Sequence, residues 1–330
     1  MRGSLHRACR RRFSRGFSLL EVMVAMGVFS LLLAILLSVI RQTSTVWKRS
    51  SEKIEAFQGA RIGFDLLTRN LSQATLNTYL DYDSTTAPTR YLRKSELAFV
   101  CAPAGTSSFP GTANTGQAVF FQAPLGYSAV TDNAPLTSLL NPCGYYISFS
   151  TNTDIPAHVL TSSAASNPSR YRLMQLLVPA ESNAIYSSGS NSMDWFLNNT
   201  SKATIVADNV ILLVLRPQDP GSTAADITTN YTYNTETNAA DNPQPVTANQ
   251  LPPVIQVTMV AIDENSAKRL ENGSSQPVAI QSALAGKFQI SSDSAFQKDL
   301  ADLEAALVKS KIEYRVFSSA VPIRESKWSK

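Results

Sequence analysis

Histidine is nearly missing from this chain of 330 residues: there are two, His6 and His158. Cysteine is scarce as well, at three. These counts leave little for a zinc site, which draws its ligands from several histidines or cysteines. No P-loop and no GxGxxG run is present, so nothing marks a phosphate cradle. A Ser/His/Asp arrangement would have to be built on His158 in "DIPAHVLTSS", a loop setting in which a lone histidine is ordinarily just solvated. The expectation is therefore a non-enzyme with no catalytic residue, no cofactor and no metal. "DYD" at 81–83 offers two carboxylates, Asp81 and Asp83. A calcium shell needs six or more oxygens, and no EF-hand spacing continues the motif, so a polar turn is expected there.

Acidic residues are absent from the first 16 positions, which hold six arginines: Arg2, Arg7, Arg10, Arg11, Arg12 and Arg15. Without them the chain has 23 Lys+Arg against 25 Asp+Glu, so the basic balance belongs to the leader and not to the body. A nucleic-acid partner, which would want a basic face on the folded domain, is not expected. Charge of either sign is then absent from Val22 to Ile40, 19 residues. As a helix this run spans about 28 Å, close to one bilayer core. A secretory signal has a shorter apolar region and a small-x-small cleavage site at its far end, and "VIRQTSTVW" is a poor substitute. The segment is expected to remain as a single-pass anchor. The arginines before it put the N-terminus in the cytoplasm and the residues beyond about 41 outside. Cys101 and Cys143 would then lie in an oxidising compartment, where they could form one disulfide or stay as two buried thiols.

Helical patterning continues past Arg41. Phe57, Phe64 and Leu71 recur every seven residues, with Ala60, Leu67 and Ala74 between them and Trp47 and Ile54 upstream. This is an amphipathic stripe. Glycines 59 and 63 weaken it without ending it. One helix from Phe17 to about Leu76, roughly 90 Å long, is expected, with "DYDSTTAP" as its break. The period then changes. Residues 96–102, 118–123, 144–150, 171–178, 203–217 (with a kink near Asp208) and 253–262 read as strands. The stretch from Gln218 to Gln250 is long for a loop in a compact domain and reads as functional or mobile. Within it, "NYTYNTETN" (230–238) reads as surface loop. Near the end, Ser292 to Ser294 can cap a helix that turns Phe296, Leu300, Leu303 and Leu307 one way. A last strand places Ile312, Tyr314 and Val316 on one face.

Five features coincide at "SRGFSLLEVMVAM": a basic leader, Gly16, Phe17, Glu21 four residues further, and a long apolar helix. This combination resembles the N-terminal signature of type IV pilins and pseudopilins, G|F-[ST]-L-x-E. The resemblance implies cleavage between Gly16 and Phe17 by a prepilin peptidase, N-methylation of Phe17, and a 314-residue mature chain. It also implies an assembly role for Glu21. A carboxylate at membrane depth costs on the order of 2.5–3.5 kcal/mol, which the amine of a neighbouring subunit's first residue offsets. The implied partners are prepilin peptidase, other pilin or pseudopilin subunits and inner-membrane lipid. The implied fold is α+β and pilin-like: a leader (1–16), an anchor and assembly helix (17–40), its amphipathic continuation (41–80) and a periplasmic β-rich domain (81–330).

More finely, "LPPVIQVTMVAID" and "IEYRVFSSAVPI" resemble the late strands of J-like minor pseudopilins of type II secretion. "QATLNTYLDYDSTTAPTRYLRKSELAFVCAPAG" and "NPCGYYISF" are similar to the pilin-like family Verru_Chthon cassette protein C. The helix-kinking proline of many type IVa pilins is replaced here by Ser38, so the kink is not expected from sequence. The function implied is that of a minor structural subunit of a type II secretion or type IV pilus-like filament. The competing reading is a membrane-tethered periplasmic binding module that never assembles, with Gln218–Gln250 as its surface.

Overall fold

The computed structural model describes residues 19–133, 135–151, 169–185, 194–222 and 226–329, with side chains described outside 45–56 and 194. In chain order the elements are α1 (Leu19–Leu71), β1 (Tyr79–Tyr82), β2 (Tyr91–Lys94), β3 (Val100–Pro103), β4 (Gln117–Pro124), β5 (Leu140–Ser150) and β6 (Arg170–Leu177). They continue with α2 (Asp194–Leu197), β7 (Thr204–Asp208), β8 (Val210–Gln218), β9 (Tyr233–Asn234), β10 (Val254–Ile262), α3 (Glu264–Arg269), α4 (Val278–Leu284), α5 (Asp293–Lys309) and β11 (Tyr314–Pro322). The fold is α+β: a long N-terminal helix, then antiparallel sheets, consistent with a pilin-like arrangement. The chain divides into two units, Met1–Ile54 and Glu55–Lys330.

The body holds a six-stranded sheet in the order β7-β6-β5-β4-β3-β9, a three-stranded sheet in the order β11-β10-β8, and the β1–β2 hairpin. The single long strand expected over 203–217 is two strands in two different sheets. Asn209 divides them with a φ of +61°, a conformation that asparagine tolerates better than most residues, and the chain changes sheets at that point. The sheets also meet where Gly116 bridges Leu213. A Cβ on Gly116 would lie 1.9 Å from the Leu213 carbonyl oxygen, so only glycine permits this approach.

The expected helical seam is the one that enters the core. Ala60, Phe64, Leu67, Leu71 and Ala74 are all buried, and Phe57 packs against them half-buried. Phe64 meets Phe317 of β11 with ring centroids 5.8 Å apart. Gly63 has a role that helix propensity alone hides. A Cβ there would sit 3.1–3.4 Å from Ala207, Val206 and Leu173, so its absence lets the helix lie close on β6 and β7. The helix ends at Leu71, short of the expected Leu76, because Thr75 already donates its N–H to Gln122 O of β4.

Downstream, Ser292 caps α5 by accepting the Ala295 N–H at 3.3 Å, and Phe296, Leu303 and Leu307 are buried as the spacing predicted. The expected break at "DYDSTTAP" is instead the arm and tip of a hairpin. Tyr82 and Tyr91 stack across it at 4.8 Å.

Candidate functional site

The residues singled out by the sequence fall into two groups. Gly16 and Phe17 lie outside the described residues. Glu21 lies in the first turn of α1, exposed, followed by an unbroken helical run through Ser38. An acid in a first turn sits at the positive end of the helix dipole, worth about 0.3–1 kcal/mol at an exposed site. Leu19–Ser44 is 26 residues, long and apolar enough to cross a membrane, and none of its described side chains is buried. Leu19, Met26 and Phe29 are each at least 66% exposed. Such a surface, contiguous along a helix, needs lipid or protein around it.

The second group lies in the body. Cys101 is on β3 and Cys143 on β5, the two strands that flank β4. Two strand spacings separate them by about 9–10 Å, beyond the roughly 7 Å that a disulfide can bridge. In the structure both are free, buried thiols. Burial pushes both thiols up, Cys143 to about 12, which disfavours the thiolate form.

Next to Cys143 is a polar cluster that the sequence did not announce. The Tyr145 hydroxyl oxygen accepts from Asn70 Nδ2 and from Gln175 Nε2, both at 2.8 Å. It ties the last turn of α1 to β5 and β6 in an otherwise apolar core. Its only sequence trace is Asn70, a polar residue one position from the helical seam.

Asp81 and Asp83 are committed to the hairpin. Asp81 pairs with Lys94 Nζ at 2.7 Å, which lowers its pKa. Asp83 accepts from the Thr89 hydroxyl and, at 2.9 Å, the Thr89 N–H, and these bonds hold its carboxyl at about 2. Among the described residues no group of three or more His, Cys, Asp or Glu could hold a metal. His158 lies outside them.

The stretch from Gln218 to Gln250 is anchored where it is described. Tyr231 and Tyr233 of "NYTYNTETN", expected on a surface loop, are buried instead, and β9 pairs with β3. Tyr233 donates its hydroxyl to Gln250 O at 2.8 Å. From the hairpin, Arg90 donates to the carbonyls of Ala240 and Asp241, and Arg93 to those of Pro245 and Ala248.

Residues 11–37 match the prokaryotic N-terminal methylation motif. That motif supports a type IV pilin-like substrate of prepilin peptidase, and it implies processing and assembly with pilin subunits. The search of curated proteins and the search of solved structures found no match.

Proposed function

We propose that this chain is a minor pilin- or pseudopilin-like subunit of a type II secretion or type IV pilus-like filament. In this reading it is anchored in the inner membrane with its body in the periplasm. Prepilin peptidase cuts between Gly16 and Phe17, and Phe17 is N-methylated. The observation that carries the reading is the match over residues 11–37, with Glu21 in the first turn of a helix whose apolar run has no buried side chain among the described residues.

The physics of the step is simple. After the cut, the new amino terminus at Phe17 is four residues from Glu21 in sequence. An ionised carboxylate at membrane depth costs on the order of 2.5–3.5 kcal/mol unless paired, so a register that brings a neighbour's ammonium to Glu21 is favoured over its alternatives. The length and irregularity of the body fit a minor subunit better than a major one. Its similarity to Verru_Chthon cassette protein C belongs to the same reading.

Glu21→Ala tests it. The variant is expected to be processed normally and to lose incorporation into sheared filaments or crosslinked subunit ladders. Normal incorporation of Glu21→Ala would contradict the pairing role and favour a tethered module that does not assemble. That alternative used Gln218–Gln250 as a free surface, and the anchoring of that stretch by Arg90, Arg93 and Tyr233 weakens it.

A further inference from the structure

The sheets of the body treat their edges unequally. In the three-stranded sheet, Ile323 donates its N–H to Pro253 O at 3.1 Å, and Asp263 donates to Glu313 O at 3.0 Å. With the register Val254↔Pro322 through Ile262↔Tyr314, odd-numbered residues of β11 therefore bond to β10, and even-numbered ones point outward. The same alternation sends Leu213, Leu215 and Pro217 of β8 to the opposite edge of that sheet. There each is engaged: Leu213 N–H with Thr115 O at 2.9 Å, Leu215 N–H with Gln117 Oε1 at 3.0 Å, and Pro217 O with the Ile227 N–H at 3.0 Å.

Other edges are blunted as well. β9 has two residues, β7 has five and a register shift, and the outer groups of Arg93 on β2 are taken by the side chains of Gln244 and Asn249. On β11 the outward N–H and C=O groups of Tyr314, Val316, Ser318 and Ala320 have no backbone partner among the described residues. The strand has nine residues, no lysine and no register shift, and its proline, Pro322, falls at an outward position at the very end. Natural proteins rarely leave such an edge unprotected unless something pairs with it.

We propose that the outer edge of β11 is a docking site for an extended strand of another polypeptide, one that sets a carboxylate opposite Arg315. Four N–H and four C=O groups in strand spacing are matched only by another β backbone. Arg315 supplies the side-chain preference. It is exposed, lies over the Phe317 ring at 5.8 Å, has Ala261 as its β10 neighbour, and makes no ion pair among the described residues. An acid on the open side completes an opposite-charge cross-strand pair. A second β11 in antiparallel pairing fits less well. Its nine residues include no Asp or Glu to set opposite Arg315.

The test uses the full chain in detergent micelles and a fluorescent nonapeptide, Thr-Val-Thr-Val-Glu-Val-Thr-Val-Thr, with amide hydrogen exchange as a second readout. Ala320→Pro is the blocking variant, because its lost N–H points outward and no internal bond is removed. In the free protein the amides of Val316, Ser318 and Ala320 should exchange fast and those of Phe317 and Ser319 slowly. Peptide should slow the first set. Ala320→Pro should weaken peptide binding by about tenfold or more with an unchanged thermal midpoint, and Arg315→Gln or a Gln-for-Glu peptide should weaken it by a smaller factor. Binding untouched by Ala320→Pro, or peptide that leaves the even-numbered amides fast, would overturn the proposal. Even-numbered amides protected in a concentration-dependent way without peptide would show a second copy at the edge and overturn the assigned occupant.

Discussion

The two halves of α1 treat their apolar surface in opposite ways. From Phe57 to Leu71 the apolar residues occur at helical spacing, alternate with charges, and are covered by strands of the same chain. From Leu19 to Ser44 they surround the helix, and no described side chain is buried. A stripe specifies a fold, because one face can be covered by one sheet. A helix that is apolar all round specifies an environment, because no single neighbour in its own chain can cover it. Glu21 belongs to the exposed half, in its first turn.

Substitutions that look alike in sequence should separate the two halves, beginning with the largest effect. Leu67→Ala removes a fully buried side chain and should destabilise the body by about 2–5 kcal/mol in urea or thermal unfolding. Leu32→Ala, in the exposed half, should leave that unfolding transition where it was. Equal losses would mean that the halves are not energetically distinct. The join between helix and sheet can be probed through Tyr145→Phe. It leaves the Asn70 and Gln175 amides without their shared acceptor and should cost about 1–3 kcal/mol, with Asn70 the first residue of the helix to lose exchange protection.

The two glycines of the covered half, Gly59 and Gly63, form a finer pair. Nothing lies within 4 Å of a Cβ at Gly59, so Gly59→Ala should raise stability by about 0.5–1 kcal/mol, whereas Gly63→Val, wedged against Ala207 and Val206, should lower it by about 1–3 kcal/mol. The smallest expected effect is at the hairpin. Hydrogen bonds from Thr89 hold the Asp83 carboxyl at about 2, below its ordinary value of 3.8. Its support of the hairpin is therefore complete above about pH 4 and is lost as pH falls through about 2, read as faster amide exchange at Thr89.

Much of this was legible in the sequence, because periodicity reports which face of an element is covered. The seam through Phe64, Leu67 and Leu71, the capped helix at Ser292 and the strands around 118–123 and 253–262 all follow from it. What periodicity cannot report is which sheet a strand joins. The 203–217 run reads as one strand with a kink, and only the position of Asn209 between two sheets makes it two. Nor does local composition show that Tyr231 and Tyr233 turn inward, since their cover comes from β3 and from the segment near Gln250, far away in sequence. Gly63 reads as a weak point in a helix until the strands beneath it are known. The processing signal was legible for the opposite reason: it is a contiguous stretch that an enzyme reads in order, so its information is local.

The most direct measurement is the intact mass of the chain after co-expression with a prepilin peptidase. A single species lacking residues 1–16 and carrying one added methyl group on Phe17 is expected. A chain that keeps its first 16 residues, or one cut beyond the apolar helix, would contradict that expectation.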